Sequence, residues 1–318
     1  MANILITGGA GFIAYHLANK LKASGHTVTG FDNYNDYYEP ELKYARVRKL
    51  TANGINVEHT DLINQARVYS VLQKDKPDVV MHLGAYAGVR HSIDQPGKYI
   101  HNNIVGTHNL IEACEQSGVK KIVYASTSCV MAGNQLPWKE DEKLGYQLNA
   151  YGYSKATNEA QFMASKLDAA IGLRFFTVYG PWGRPDMALF TFTKNIIEGK
   201  PITLFNYGDM IRDFTYVADI VQGIEIVINR AINSTQNLKE VYNIGYGEQV
   251  PLMEFVTEIE KNIGKKAITE LVPKHPADTY ETWSDTTKLQ ALGYKPTTSI
   301  REGVARFVEW YKDYYGVK

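Results

Sequence analysis

The sequence predicts an α/β protein built on a doubly wound parallel sheet, followed by a smaller C-terminal domain. Short apolar runs alternate with helical stretches through the first half, and a glycine-rich turn follows the first of these runs. The alternation then stops near Tyr179. Strands and helices at this spacing favour right-handed crossovers that cover both faces of one parallel sheet.

The elements of the first half follow from this alternation. Strands are predicted at residues 4–7, 27–32, 56–59, 79–83, 122–126 and 172–176. Helices are predicted at residues 13–23, 66–74, 99–116 and 153–167. The run at 79–83 lacks polar alternation, which is typical of a strand that is buried on both faces.

The second half begins with a segment dense in turn residues, GPWGRP at 180–185. Helices are predicted beyond it at residues 188–198, 217–228, 252–262 and 299–314, with short strands between them. We therefore expect a nucleotide-binding domain at 1–176 and a second domain at 177–318, with an interleaved boundary and a cleft between the two.

Composition limits the class of protein. The 318 residues carry 34 basic and 34 acidic side chains, so nothing favours nucleic acid or an anionic membrane as a partner. No segment approaches the roughly 18 consecutive apolar residues of a membrane span, and the N-terminus predicts a strand rather than a signal peptide. With only Cys114 and Cys129, no disulfide framework is expected, which favours a cytoplasmic location.

The glycine-rich segment TGGAGFIA, residues 7–14, lies between the first predicted strand and the first predicted helix. Gly8 allows a tight turn, and Gly11 lets backbone amides at the helix N-terminus approach the phosphates of a dinucleotide. Phe12 and Ile13 are expected to lie along the same ligand. Glycines alone also fit a plain strand–helix turn, but their place after the first strand favours a Rossmann-type cofactor site.

The charge at the end of the second strand indicates which cofactor binds. Asp32 lies about twenty residues beyond the loop, where a carboxylate accepts hydrogen bonds from ribose hydroxyls and repels a ribose phosphate. This predicts NAD rather than NADP, although Asp32 also fits a turn-initiating residue. Lys43, Arg46 and Arg48 lie nearby and could favour NADP, but a solvated helix face is the preferred interpretation.

Further residues at strand ends are predicted to line the cofactor site. They are Asn33, Asp61, Leu62 and Leu83. Asp61 is expected near the adenine, although a helix N-cap explains it equally well.

A tyrosine and a lysine four residues apart provide the predicted chemistry. Tyr151 and Lys155 lie on one helix face, where the cation favours the phenolate of a tyrosine that otherwise titrates near ten. Tyr151 is then able to take a proton from a secondary alcohol while the cofactor accepts the hydride. The preceding strand ends in Ser126, Thr127 and Ser128 at the ligand-binding edge of the sheet. Thr127 is the preferred hydroxyl partner of the substrate; the other two could substitute, and all three also fit turn residues.

Five further segments resemble the extended short-chain dehydrogenases/reductases, and within them the nucleotide-sugar epimerases. The segments are residues 32–38, 87–90, 173–188, 206–215 and 307–311. The resemblance covers nearly the whole chain and is strongest to UDP-glucuronate 4-epimerases; the segment 173–188 is specific, whereas the glycine loop is not.

The resemblance implies a set of site residues. It assigns catalysis to Thr127, Tyr151 and Lys155, with NAD as the cofactor and a UDP-sugar as the substrate. Asn103 is placed beside the active site. Substrate contacts are assigned to Arg90, Thr177, Arg212 and Asp278, of which Arg212 and Asp278 hold the UDP diphosphate and ribose.

Two departures from the family pattern stand out. The chain has VMAG at residues 130–133 where relatives usually read Val-Tyr-Gly, and we expect this to affect the pocket near the hexose. Ala14 replaces the last glycine of the cofactor loop, which should matter less.

The predicted reaction is reversible C4 epimerisation of UDP-glucuronate to UDP-galacturonate through a 4-keto intermediate. Related dehydratases and decarboxylases carry acids just after the catalytic threonine, whereas this chain has Ser128 and Cys129. The alternatives are a UDP-glucose/UDP-galactose 4-epimerase, another epimerase of nucleotide sugars, or a non-catalytic NAD-binding regulator.

A uronic substrate needs protection, because its 4-keto form is a β-keto acid that readily loses carbon dioxide. Arg184 is expected to clamp the carboxylate with its planar fork of donors, helped by Thr177 or Ser128. Its alternative role is to cap a proline-rich turn. The helices at 99–116 and 153–167 are expected to pair in a homodimer, as in relatives, although their apolar faces equally fit packing on the sheet.

Overall fold

The computed structural model describes residues 1–235 and 237–317. Within these ranges the strands are β1 (Asn3–Thr7), β2 (Thr27–Asp32), β3 (Asn56–His59), β4 (Val79–His82), β5 (Lys121–Thr127), β6 (Ala169–Phe175), β7 (Thr177–Tyr179), β8 (Pro201–Phe205), β9 (Ile211–Arg212), β10 (Phe214–Tyr216), β11 (Leu238–Ile244), β12 (Val250–Pro251) and β13 (Ile268–Val272). The α-helices are α1 (Phe12–Ala23), α2 (Pro40–Ala52), α3 (Gln65–Asp75), α4 (His91–Asp94), α5 (Pro96–Tyr99), α6 (Gly106–Ser117), α7 (Ala150–Ala164), α8 (Ala188–Glu198), α9 (Val217–Asn233), α10 (Leu252–Ile263), α11 (Thr287–Gln290) and α12 (Ile300–Tyr315).

Seven strands form one sheet in the order β11-β6-β5-β4-β1-β2-β3, and all of its strand pairs are parallel. The predicted doubly wound fold is confirmed. The strand order changes direction between β1 and β4, so a ligand crevice opens at their carboxyl ends. Strand β11 lies beyond residue 177, and the C-terminal half of the chain therefore also contributes to this sheet.

Side chains alternate between the two faces of the sheet, as the pleat of a strand requires. On β1, Ile4 and Ile6 pack into the core beneath α1 and α9, whereas Leu5 packs into a second core with α3, α6 and α7. All three side chains are almost completely buried. The sheet is covered by helices on both faces, which explains the apolar character of its central strands.

Helix ends follow local sequence signals. The side chains of Asn64, Asn149 and Ser299 accept hydrogen bonds from backbone amides in the first turns of α3, α7 and α12. Gly118 and Gly264 end α6 and α10 in the left-handed conformation that glycine adopts without steric cost. The Asn149 cap bears on the site, because it fixes the first turn of the helix that carries Tyr151.

The C-terminal half contains two-stranded sheets, formed by β7 with β10, β8 with β13, and β9 with β12. Helix α10 packs against both α8 and α12. Aromatic side chains fill this region: Trp310 contacts Trp182, Phe190 and Phe307. Among the described residues, no helix is both long and apolar enough to cross a bilayer.

Three predicted elements differ from the structure. The helix predicted at 99–116 is interrupted by a π-helical turn at Ile100–Val105, after which α6 begins. The helix predicted at 153–167 begins at Ala150, so that Tyr151 lies inside it rather than before it. The helix face expected around Lys43, Arg46 and Arg48 belongs to α2, which is absent from the predicted ranges because charged residues occupy part of its buried face.

Candidate active site

A cleft enclosing about 750 Å³ opens at the carboxyl edge of the large sheet and extends towards the C-terminal half. Every predicted catalytic, cofactor and substrate residue lines it. These residues are Gly8, Gly11, Phe12, Ile13, Asp32, Asn33, Asp61, Leu62, Leu83, Arg90, Thr127, Ser128, Tyr151, Lys155, Thr177, Arg184, Arg212 and Asp278. Asn103 is absent from this lining: it is fully buried behind the cleft, where its amide binds the backbone of Tyr86 and the hydroxyl of Ser154.

The glycine loop forms a close cradle at the start of the cleft. Gly8 has φ +68°, and a Cβ there would lie 2.8 Å from Cα of Gly84. A Cβ on Gly11 would lie 2.8 Å from the carbonyl oxygen of Gly8. No side chain caps the first turn of α1, so its backbone amides are available to a ligand. This cradle fits the diphosphate of a dinucleotide, because anions bind at such helix N-termini.

The carboxylate of Asp32 braces the loop and borders the cleft. It accepts hydrogen bonds from the amides of Ala10 (3.1 Å) and Tyr34 (2.7 Å). Asp61 accepts hydrogen bonds from the side-chain amide of Asn33 and from the backbone of Ile63. The cap of α3 is Asn64, so the interpretation of Asp61 as a helix N-cap is wrong.

We expected the three cations near Asp32 to lie on a solvated helix face, and for two of them this prediction is wrong. Lys43 and Arg46 are buried on α2, and only Arg48 is exposed. The ammonium of Lys43 donates to the backbone and side-chain oxygens of Asn35. Burial lowers the pKa of Lys43, partly offset by the charge of Asp32.

Thr127 and Tyr151 meet where β5 ends and α7 begins. The Thr127 hydroxyl accepts a hydrogen bond from the amide of Cys129 and lies close enough to the phenol of Tyr151 to lower its pKa. Burial raises the pKa of Tyr151 to about 12, although Thr127 and Arg184 act in the opposite direction. The side chains of the protein alone therefore leave the phenol protonated at neutral pH.

Lys155 makes a contact that the sequence did not predict. Its ammonium donates to the carbonyl oxygen of Ala125 at 2.9 Å, and burial lowers its pKa to about 8. The hydroxyls flanking Thr127 differ as well. Both serines line the cleft, but the hydroxyl of Ser126 donates to the buried carboxylate of Glu159. Of these two, Ser128 is the one left available to a substrate.

Arg184 lies inside the cleft with its donors already engaged. Its Nε and Nη2 atoms donate to the two carboxylate oxygens of Asp186 at 3.0 and 2.5 Å, and Nη1 donates to the carbonyl of Ala87 at 3.3 Å. The phenol of Tyr37 donates to the same Asp186 carboxylate at 3.0 Å. Burial raises the pKa of Asp186, but the charge and hydrogen bonds of Arg184 outweigh it and leave the pKa lowered.

At the far end of the cleft, two arginines lie near one carboxylate. Arg90 donates to Asp278 at 2.7 Å, and its guanidinium stacks 3.6 Å above the ring of Phe205. Arg212 donates to the carbonyls of Thr279 and Tyr280 at 2.8 Å each. This end has the charge and the flat aromatic surface needed to hold a nucleotide diphosphate and its base.

Two residues of the site were not predicted from the sequence. Tyr37 and Asp186 complete the Arg184 cluster, and the closeness of Asp186 to Arg184 in the sequence was the available signal. Met131 lies outside the cleft lining; its sulfur accepts a hydrogen bond from buried Arg174 at 3.1 Å. Met131 therefore does not change the predicted hexose pocket through direct contact. Ala14 is almost fully buried and borders the cleft.

Comparison with known proteins decides the family. The profile of the NAD dependent epimerase/dehydratase family matches residues 4–245. The chain belongs to this family. A probable UDP-glucuronate 4-epimerase from Rhizobium meliloti (strain 1021) is 39% identical to this epimerase, over 98% of the chain and 97% of the relative. The predicted resemblance, the isomerase class and the NAD cofactor are confirmed.

Solved structures agree with this assignment. UDP-glucuronic acid 4-epimerase from Bacillus cereus, in complex with UDP-glucuronic acid and NAD, matches this epimerase with a TM-score of 0.90 and 34% identity. The match covers 98% of this chain and 99% of that one. UDP-glucose 4-epimerase from Thermus thermophilus, in complex with NAD, matches with a TM-score of 0.84 and 28% identity, over 97% and 98% of the two chains.

The cradle can be tested with a pair of matched glycines. Gly8→Ala should abolish NAD retention, because the added methyl group meets the backbone of Gly84. Gly199 has the same φ of +68°, but a methyl group there would meet nothing within 4 Å, so Gly199→Ala should cost only about 1 kcal/mol of stability. The NAD content of each purified protein is read from the absorbance of the denatured extract. Equal NAD retention by both variants would contradict the assignment of the loop.

Proposed function

We propose that this epimerase interconverts UDP-glucuronate and UDP-galacturonate by oxidation and reduction at C4, with NAD held throughout. The observation that carries the proposal is the contact between Thr127 and Tyr151 beside the glycine cradle, in a cleft that also holds Arg184. The similarity to the Bacillus cereus enzyme, whose complex contains UDP-glucuronic acid, supports the choice of substrate.

Tyr151 exchanges the proton of the C4 hydroxyl. Bound NAD would accept and return the hydride, and its positive ring would lower the pKa of the phenol from about 12. The Thr127 hydroxyl holds the phenol in place and stabilises the phenolate by hydrogen bonding. Lys155, whose ammonium donates to the carbonyl of Ala125, would hold a hydroxyl of the cofactor ribose.

Inversion at C4 requires the sugar to present both faces while its anchor stays fixed. Arg90, Arg212 and Asp278 at the far end of the cleft supply that anchor through the diphosphate and ribose. A planar 4-ketone has lost its stereochemistry, so rotation of the hexose between the anchor and Tyr151 decides the product. The protein contributes orientation and proton transfer to this step.

Arg184 protects the intermediate from losing carbon dioxide. Decarboxylation is fastest when the breaking bond aligns with the π system of the ketone, so a charged clamp that holds the carboxylate in another orientation suppresses it. The fork of Arg184 has the geometry for such a clamp, and Asp186 satisfies it when no substrate carboxylate is bound. Thr177 and Ser128 line the cleft and can add hydroxyl donors.

The alternatives are less well supported. A UDP-glucose epimerase would share the catalytic residues but has no use for Arg184 as a carboxylate clamp, and the Thermus thermophilus enzyme matches less well than the Bacillus cereus one. A non-catalytic NAD sensor would not need Thr127 and Tyr151 to lie side by side in the cleft.

Turnover can be followed by proton NMR with no cofactor added. The purified protein should convert UDP-glucuronate to UDP-galacturonate, because NAD remains bound after each cycle. Tyr151→Phe should lower the rate by about a thousandfold, the scale of a lost general base, and should retain NAD. Unchanged turnover in Tyr151→Phe would contradict the proposed base, and conversion of UDP-glucose in preference to UDP-glucuronate would establish the alternative.

The clamp is tested by product analysis. Arg184→Ala should lose epimerisation or release UDP-pentose, because the β-keto acid is no longer held. Arg90→Ala is the matched control: it weakens the nucleotide end, so it should raise KM for UDP-glucuronate without forming UDP-pentose. Products are separated by ion-exchange chromatography. Normal turnover of UDP-glucuronate by Arg184→Ala, with no UDP-pentose, would exclude the clamp.

We also propose a homodimer and a cytoplasmic location. Ile100 and Val105 on the π-helical turn and Met163 on α7 are exposed, although these two elements pack against each other. Such an apolar surface suits a second copy of the chain. Cys114 and Cys129 are free thiols, which supports a reducing compartment.

The dimer is tested by multi-angle light scattering. The protein should have twice the chain mass, and Met163→Glu should shift it towards the monomer by burying a charge in the interface. Met253→Glu, at another exposed methionine in the C-terminal half, should leave the mass unchanged. A monomeric wild-type protein at micromolar concentration would refute the proposal.

A further inference from the structure

A fully buried arginine lies behind the cofactor loop. The guanidinium of Arg46 donates to the carbonyl of Ala10 (3.0 Å) and the phenol of Tyr38 (2.7 Å). Its other Nη donates to the carbonyls of Trp182 (2.6 Å) and Gly183 (3.4 Å). The Nε atom has no hydrogen-bond partner. No carboxylate within the described ranges forms a salt bridge with this cation, so all of its acceptors are neutral oxygens.

These acceptors belong to the two halves of the active site. Ala10 lies within the glycine loop, between Gly8 and Gly11. Trp182 and Gly183 directly precede Arg184, the proposed clamp. One rigid fork of donors therefore sets the distance between the cofactor loop and the turn that carries the clamp.

The turn is held in a conformation that needs such support. Trp182 has φ +62°, in the left-handed region that bulky residues rarely adopt. A second bond reaches the same turn, from the ring of His16 on α1 to the carbonyl of Pro181 at 2.8 Å. Both ties run from the cofactor-binding half to the turn, but only Arg46 also holds the glycine loop itself.

The charge of Arg46 acts on the cleft as well. Lys43 lines the cleft, and its pKa is lowered by burial and further by the charge of Arg46. A buried cation that lacks a carboxylate is unfavourable unless other groups compensate it. The diphosphate of a dinucleotide seated on the glycine loop would bring negative charge to this side of the cleft, where the loop and Arg46 are joined.

We propose that Arg46 is a positioning residue that joins the cofactor loop to the Arg184 turn, with the diphosphate of NAD compensating its buried positive charge. Two functions then depend on one side chain. NAD retention depends on the charge, and control of the sugar carboxylate depends on the fork geometry. The second function rests on the role proposed for Arg184, whereas the first does not.

The two functions separate in a pair of variants. Arg46→Lys keeps the charge but loses the fork, and Arg46→Gln loses both. The NAD content after gel filtration should fall about tenfold in Arg46→Gln and by much less in Arg46→Lys. After reloading with excess NAD, both variants should form more UDP-pentose per UDP-galacturonate than wild type. Arg48→Gln is the matched control on the same helix, where an exposed arginine pairs only with Glu41, and it should behave as wild type.

A merely structural role gives a different pattern. In that case both variants would lower Tm, while the NAD content and product ratio of the folded protein would stay at wild-type values, and the proposal would be overturned. If Arg46→Gln does not fold, Arg46→Lys decides: because this variant loses the fork and keeps the charge, an unchanged product ratio overturns the proposal. A wild-type protein that does not convert UDP-glucuronate refutes the proposed function, but the NAD measurements still decide the role of the charge.

Discussion

The close approach of two backbone segments at the switch point of the sheet is the constraint on which the site depends. Strands β1 and β4 are neighbours, and the turns that follow them bring Gly8 against Gly84 with no space for a methyl group. This contact positions the N-terminus of α1 at the cleft. The hydroxyl of Thr7 reinforces it by accepting from the amide of Gly84 at 3.0 Å.

Burial has opposite effects on the pKa values of the two residues proposed for catalysis. The same dry environment raises the pKa of Tyr151 to about 12 and lowers that of Lys155 to about 8, so it disfavours the charged form of each. The protein therefore does not hold a ready-made phenolate. Under the proposed mechanism, the positive ring of bound NAD would favour the phenolate, so proton removal would require the loaded enzyme.

The parallel sheet could be predicted from the sequence, because β-branched runs and a glycine turn favour the same local structure that tertiary packing requires. It was also sufficient for the residues that line the cleft, since strand ends and helix starts meet at one edge of a parallel sheet. It was insufficient for α2, where Lys43 and Arg46 occupy the buried face. Charged residues on a helix usually indicate solvent, and only tertiary contacts reveal the carbonyl oxygens that receive them. The partner of Lys155 was missed for the same reason, because the carbonyl of Ala125 carries no sequence signal.

The pairing of Arg90 with Asp278 has a consequence for how tightly a nucleotide sugar is held. This ion pair satisfies much of the charge at the far end of the cleft. An entering diphosphate must exchange one partner for another, so the net gain in free energy is smaller than the attraction between the groups suggests. Such an exchange favours reversible occupancy, which suits an enzyme whose substrate and product differ only in the configuration of one carbon.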